Sequence, residues 1–265
     1  MPNTYFNNRR IWITGATSGI GEALAVAFHK AGARLILSAR REDELKRVQA
    51  VCGGEASTRI LPMDVSHADE LPGKAHEALG MFGGIDILVL NAGVSQRSLV
   101  KDTGMEVYRS IMETNYFGPI GMTRAVLPSM LENKSGHIVV ISSVAGKLST
   151  PLRSGYSASK HSLHGFYDAL RAEVAGQGIE VTLVCPGFIQ TNVSLNAFKG
   201  DGSRHNKMDP AIAKGLTAER CAEEILNGVA RHKLEFYIGA PRDKYIVYLK
   251  RFFPGVFARR IARMQ

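Results

Sequence analysis

Tyr156 and Lys160 stand four residues apart in the run Tyr156-Ser157-Ala158-Ser159-Lys160, which opens an apolar helical pattern. On a helix this spacing sets the two side chains one turn apart on the same face, so a phenol and an ammonium are held together. A tyrosine with an ordinary pKa near ~10 exchanges protons poorly at neutral pH, and a neighbouring cation favours its phenolate. A shift of about three units would amount to roughly 4 kcal/mol of differential interaction. Ser143 lies upstream, at the end of the stretch Val139-Val140-Ile141. Its hydroxyl can fix a substrate oxygen beside the phenol. An isolated Tyr-x-x-x-Lys is most often an exposed helix pair; the rest of the chain argues for the chemical reading here.

A second group of residues is built to meet an anion. Arg10–Thr14 reads as a short strand, Gly15-Ala16-Thr17-Ser18-Gly19-Ile20-Gly21 as a turn, and Glu22–Ala31 as an amphipathic helix. The glycines let the chain turn tightly and bring backbone N–H groups against a pyrophosphate at the positive end of that helix. Gly15, Ser18, Gly19, Ile20 and Gly21 are therefore candidate cofactor ligands. Their spacing is Gly-x-x-x-Gly-x-Gly, whereas the general dinucleotide fingerprint is Gly-x-Gly-x-x-Gly.

The elements that must position these groups alternate along the chain. Strands are expected near 10–14, 34–38, 58–63, 86–90, 137–142, 180–185 and 234–238, and helices near 20–31, 42–51, 68–80, 106–131, 156–176 and 218–231. Several strands are continuous apolar runs, as parallel strands covered on both faces must be. The alternation predicts an α/β fold: a Rossmann-type, doubly wound parallel sheet flanked by helices, in a single domain over 1–241, with ligands beyond the carboxyl ends of the strands. Gly15, Ser38, Asp64, Asn91, Ser143 and Pro186 all fall at or just past such ends.

Thr14-Gly15-x-x-x-Gly19-x-Gly21, Asp64-Val65, Asn91-Ala92-Gly93, Asn115, Ser143, Tyr156-x-x-x-Lys160 and Pro186-Gly187 together resemble, in order and spacing, the short-chain dehydrogenases/reductases, over about residues 9 to 238. Within that family, Val139–Lys147 and Tyr156–Lys160 look most similar to 11-beta-hydroxysteroid dehydrogenase-like reductases. The resemblance implies an enzyme that interconverts a carbonyl and a secondary alcohol, with Ser143, Tyr156, Lys160 and Asn115 catalytic. It also implies that Asp64 and Val65 hold the adenine ring and that Asn91, Ala92 and Gly93 line the cofactor cleft. Pro186, Gly187, the backbone of Ile189 and the hydroxyl of Thr191 would meet the nicotinamide end, and Tyr156 and Lys160 the ribose. Read as plain structure, Asp64 could equally cap the following helix. Similar enzymes pair through their long helices, so a homodimer or homotetramer is expected.

Cofactor choice follows from Leu35-Ile36-Leu37-Ser38-Ala39-Arg40-Arg41. An NAD-preferring enzyme places a carboxylate here for the ribose hydroxyls, which would repel a 2′-phosphate. This chain has Ala39 and two arginines, so NADP(H) is predicted, with paired bonds from Arg40 and help from Ser38 and Ser18. Asn115 precedes Pro119 by four; proline has no N–H to give the carbonyl of residue 115, so a kink is expected there and the freed carbonyl must find another partner. The resemblance implies that Asn115 helps hold a water linked to Lys160, continuing a relay from Tyr156 through the cofactor ribose and Lys160 to solvent.

Asn192–Leu216 is long and weakly periodic, and is read as a substrate loop. The tail 242–265 carries seven cations against the one acid Asp243, a surplus of +6 out of the chain's +9. Aromatics interleave with those cations, and Pro254-Gly255 should split the tail into two amphipathic pieces. Such pieces would either pack on the protein or rest peripherally on an anionic bilayer, while no recognition motif accompanies the charge to suggest nucleic acid. The absence of a signal-like start or a spanning apolar run points to a cytoplasmic protein. Cys52, Cys185 and Cys221 show no paired spacing, so no disulfide framework is expected. No compact metal-ligand cluster is visible, so no metal is predicted, and His161 and His164 read as helix-surface or subunit-contact residues. The expectation is an NADP(H)-dependent oxidoreductase interconverting a lipophilic carbonyl and its secondary alcohol, acting as a reductase. Alternatives are a 3-oxoacyl thioester reductase served by a carrier protein, or a non-catalytic NADP(H)-binding sensor.

Overall fold

The computed structural model describes residues 3–263; Met1 and Pro2, and Met264 and Gln265 at the end of the tail, lie outside the described residues. Seven parallel strands form one sheet in the order β3-β2-β1-β4-β5-β6-β7. They are β1 (Arg10–Thr14), β2 (Arg34–Ser38), β3 (Thr58–Ile60), β4 (Ile87–Leu90), β5 (Gly136–Ile141), β6 (Ile179–Pro186) and β7 (Glu235–Ile238). The helices are α1 (Asn3–Phe6), α2 (Gly19–Lys30), α3 (Glu42–Val51), α4 (Leu71–Phe82), α5 (Met105–Met112), α6 (Gly118–Glu132), α7 (Ser154–Glu173), α8 (Pro210–Ala213), α9 (Ala218–Ala230), α10 (Pro241–Phe252) and α11 (Pro254–Ala262).

Because side chains alternate across a strand, the apolar runs supply both faces of the sheet. Ile11, Ile13, Leu35, Leu37 and Val139 pack with Leu24 and Phe28 of α2 and Ile225 of α9. Trp12, Ile36, Leu88, Ile138 and Val140 face the other way, onto Met122, Val126, Leu163 and Tyr167 of α6 and α7. A fully buried aromatic such as Phe28 contributes about 1.5–3 kcal/mol relative to exposure. The strand order reverses beside β1, where β2 lies on one side and β4 on the other, and the crevice opens there.

Three segments differ from the sequence expectation. The polar-looking start holds a helical turn, α1, whose Phe6 is fully buried and meets the Phe28 ring edge-on at 5.0 Å. The helix expected across 106–131 is interrupted just before Pro119. It widens into a π-helical turn, Glu113–Phe117, in which the Gly118 N–H reaches back to the carbonyl of Glu113. A proline in the following turn cannot donate, so an enlarged turn accommodates the missing bond. Gly118 is also required by packing, since a Cβ there would stand 2.7 Å from the carbonyl oxygen of Val65. The loop 192–216, expected to be weakly periodic, contains the short helix α8, and bridges tie it to the domain: Phe198 to Gln96, and Ile189 to Leu216.

Candidate active site

The glycine turn between β1 and α2 carries its conformation in the backbone. Gly15 and Gly19 have φ of +66° and +57°, in the left-handed region that a Cβ disfavours. A Cβ on Gly21 would come within 2.1 Å of the Gly15 carbonyl oxygen, and one on Gly19 within 2.8 Å of Thr191. Asn91 clamps this turn from β4: its side-chain amide donates to the carbonyls of Thr14 and Gly15, each at 3.1 Å. The Thr14 hydroxyl in turn accepts from the amides of Asn91 and Ala92. Ser18, at the helix N-cap, is exposed and makes no side-chain cap bond, so its hydroxyl can turn to an anion.

At the far edge of the cleft the candidate catalytic groups stand on α7 and at the end of β5. Tyr156 is half-buried, and the Lys160 ammonium lies 6.0 Å from the centre of its ring. Lys160 is buried, and Nζ donates to the carbonyl of Ile141 at 2.8 Å. Desolvation holds its pKa down to about 8, because removal from water penalises the charged form. Ser143 Oγ donates to the Pro186 carbonyl at 3.3 Å and accepts from the Ala145 amide at 3.1 Å. Asn115 is fully buried: its Oδ1 accepts from the Val94 amide at 2.8 Å, and its Nδ2 donates to the Val94 carbonyl and to Ser159 Oγ, each at 2.9 Å. The side chain thus ties the end of the Asn91-Ala92-Gly93 segment to the catalytic helix. Gly93 fits between the two groups, since a Cβ there would lie 3.2 Å from Asn115 Oδ1 and 3.6 Å from Lys160 Nζ.

The walls between these ends form a cavity of about 1020 Å³ that reaches Gly15, Ser18, Gly19, Ile20, Asp64, Val65, Asn91, Ala92, Gly93, Ser143, Tyr156, Lys160, Pro186, Gly187, Ile189 and Thr191. Ser38 also lies along it, but its oxygen already accepts from the Trp12 indole at 2.8 Å. Arg40 is exposed at the rim, 3.7 Å from Asp64. Burial alone would raise the Asp64 carboxyl, but the amide and hydroxyl of Ser66, and then Arg40, outweigh it and hold it below its ordinary range. A dinucleotide fits these walls: there is a cradle whose glycines exclude Cβ atoms at one end, and a cation and two hydroxyls at the other.

The structure adds residues that sequence reading passed over. Arg97, its side chain only 6% exposed, binds Asp209 of the 192–216 loop through Nε at 2.9 Å and Nη2 at 2.5 Å. Arg153 reaches the same oxygen at 3.0 Å. Both arginines line the cavity, and two guanidiniums on one carboxylate leave a positive surplus there. Sequence separation hid this triad; three residues so far apart in the chain form no local motif.

His164 is buried rather than on a surface. Its Nε2 lies 2.9 Å from Ser142 Oγ and 3.8 Å from Cys185 Sγ, and its Nδ1 3.3 Å from Glu235. The expectation of no compact ligand cluster is thereby corrected: His164, Cys185 and Glu235 bring potential ligand atoms within 4.8 Å of one another. Lys147 pairs with Glu235 at 2.7 Å, and the Tyr237 hydroxyl donates to it at 2.9 Å. The carboxylate is therefore already compensated, and the group reads as an ion-paired support behind the catalytic helix. Cys52, Cys185 and Cys221 are all buried, and desolvation raises each thiol above its ordinary range.

Fold and cleft together are those of a Rossmann-type oxidoreductase. A profile described as short chain dehydrogenase matches residues 9–201, and the chain belongs to the short-chain dehydrogenase/reductase family. It is 41% identical over 265 residues to dehydrogenase/reductase SDR family member 7B of Bos taurus, covering 97% of this chain and 82% of that protein. Among solved structures, a short-chain dehydrogenase/reductase from Burkholderia phymatum in complex with NAD superposes with a TM-score of 0.83 at 26% identity, covering 93% of this chain and 94% of the other. The closed form of a serine dehydrogenase complexed with NADP+ gives 0.77 at 29% identity, covering 87% and 94%. These matches establish the family and do not by themselves narrow it to 11-beta-hydroxysteroid dehydrogenase-like reductases.

Proposed function

We propose that the protein is an NADP(H)-dependent reductase of a lipophilic ketone, yielding a secondary alcohol. The observation that carries the cofactor choice is the pair Arg40 and Arg204. Arg204 comes from the 192–216 loop, lies over the Phe198 ring at 4.5 Å and lines the same cavity as Arg40. Burial, and then the charge of Arg40, lower its pKa, so the two cations feel each other across the adenosine end. Ala39 supplies no carboxylate there. A 2′-phosphate would relieve that repulsion through charge-assisted hydrogen bonds, whereas a bare ribose would leave it in place.

When bound, the nicotinamide would supply the hydride. The chain's own task is to place and protonate the carbonyl oxygen. The Ser143 hydroxyl turns from the Pro186 carbonyl to the substrate oxygen, and the Tyr156 phenol gives that oxygen its proton. Lys160, a cation in a desolvated position, favours the phenolate left behind. Asn115 fixes Val94 and Ser159, and so holds the floor beneath Lys160. Leu148, Phe188, Val193, Ile212, Ile246 and Ile261 give the cavity its apolar lining, which suits a lipophilic substrate.

Steady-state assays with long-chain and polycyclic ketones against NADPH and NADH test the reading. NADPH should give the higher kcat/KM by at least tenfold. A preference for NADH would overturn the cofactor assignment, and turnover confined to small hydrophilic ketones would overturn the substrate class.

A further inference from the structure

The tail does two things at once. Its inner side packs on the protein: Phe257 is buried against Val144 and Leu148, next to the turn that holds Ser143, with Ile246, Leu249 and Ile261 beside it. Lys250 also points inward, donating to the Lys147 carbonyl at 2.8 Å. Its outer side carries large apolar groups that nothing covers. Tyr245, Tyr248 and Phe252 recur at three- and four-residue spacing on α10, so they share one face. They are 61%, 54% and 67% exposed, and Phe253 and Val256 extend the patch between α10 and α11. Tyr248 and Phe252 stack with centroids 6.5 Å apart.

The charge around this patch has one sign. Arg242, Lys244, Arg251, Arg259, Arg260 and Arg263 are exposed. The tail's one acid, Asp243, is withdrawn: its side chain is 13% exposed, and a Cβ on Gly187 would come within 2.3 Å of its Oδ2. A second copy of the chain is therefore a poor occupant, because a two-fold interface sets the same patch against itself and would bring cation onto cation. An anionic lipid surface complements the patch in both respects, with aromatic rings at the headgroup boundary and cations among the phosphates. Tyr245, Ile246, Arg260 and Ile261 line the rim of the active-site cavity, so the patch and the mouth of the cleft are continuous. None of the described helices is long and apolar enough to cross a membrane.

We infer that α10 and α11 dock the protein on an anionic bilayer through Tyr248, Phe252, Phe253 and the surrounding cations, with the mouth of the cleft facing the membrane. The docking is separate from the choice of cofactor and substrate, because vesicle binding is read without turnover.

Flotation of the whole chain with phosphatidylcholine vesicles, with and without phosphatidylserine, is the test. Binding should require phosphatidylserine and weaken steeply with salt. Arg251→Glu combined with Arg259→Glu should lower the partition coefficient by more than about 30-fold, since loss of two surface cations alone accounts for that much and the two new carboxylates are repelled as well. Phe252→Ser combined with Phe253→Ser should lower it by about tenfold or more. Both variants should keep wild-type thermal stability and NADPH affinity, since these side chains point away from the domain. Absence of flotation by the wild-type chain would overturn the proposal. So would unchanged flotation of the charge-reversed variant, or a dimer in sedimentation that the double serine variant dissociates. Salt-sensitive binding to a DNA duplex without vesicle binding would also overturn it.

Discussion

The two ends of the cleft are built by opposite means. At the cofactor end the cradle itself is one local turn, with three glycines within seven residues between β1 and α2, and a single asparagine amide from the end of β4 closes it. At the substrate end the walls come from segments far apart in the chain and are joined by side chains: Arg97 to Asp209 across 112 positions, and Lys250 to Lys147 across 103. The difference teaches where specificity can vary. A backbone cradle accepts few substitutions, while walls held by ion pairs and side-chain packing can be rebuilt around different substrates without disturbing the cradle.

The largest expected effect tests the junction of the two ends. Tyr156→Phe removes the transferable proton and should lower kcat by about 10²–10⁴-fold, while the dissociation constant for NADPH stays within about twofold. Near-normal turnover would show that another group delivers the proton.

The next prediction tests the substrate wall. Asp209→Asn leaves the buried Arg97 guanidinium without its anion. Breaking a fully buried pair from one side costs about 3–5 kcal/mol, and Asp209 is partly exposed, so a loss near the lower end should show as a fall in the midpoint of denaturant unfolding. KM for the ketone should rise more than KM for NADPH, because the loop that Asp209 pins faces the substrate. Equal changes in both constants would mean that the two ends are not separable.

At the cofactor end, Arg40→Ser should weaken NADPH binding by roughly 10- to 100-fold, the range of a charge-assisted hydrogen bond, and leave NADH binding nearly unchanged. Isothermal titration with the two cofactors separates these outcomes. Equal loss for both would assign Arg40 to the adenosine as a whole rather than to a 2′-phosphate.

The same contrast explains what the sequence could reveal. β1, β2 and α3 occupy the spans expected of them, because continuous apolar runs and adjacent turn residues are local signals. The glycine turn and the Tyr/Lys pair were legible for the same reason. The π-helical turn was not: Pro119 announces a missing donor, but whether a helix kinks or widens depends on what packs against it, here the Val65 segment at Gly118. Arg97, Arg153, Asp209 and the His164 network were hidden because their partners lie on other elements. The tail is half of each kind. Its amphipathic split at Pro254 could be read directly, whereas the burial of Phe257 against Val144 depends on the finished fold.

The smallest effect is expected behind the catalytic helix, and its dependence on pH can be assigned a sign. Burial would raise the Glu235 carboxyl, but His164, Lys147 and Tyr237 together pull it down from 4.5 to about 2. A folded pKa below the unfolded one means that the unfolded chain binds more protons between those values, so stability rises with pH in that window. The contribution is therefore present above about pH 4.5 and is lost as pH falls toward 2. Its size is of order 2 kcal/mol after allowance for the partial exposure of the side chain. Glu235→Gln should remove this dependence, lowering stability at pH 7 by about that amount and leaving it unchanged near pH 2. Unfolding by urea at a series of pH values measures both limits. If wild type and variant kept a constant difference down to pH 2, the group would act through packing and not through its charge, and the support behind α7 would resemble the backbone cradle more than the ion-paired wall.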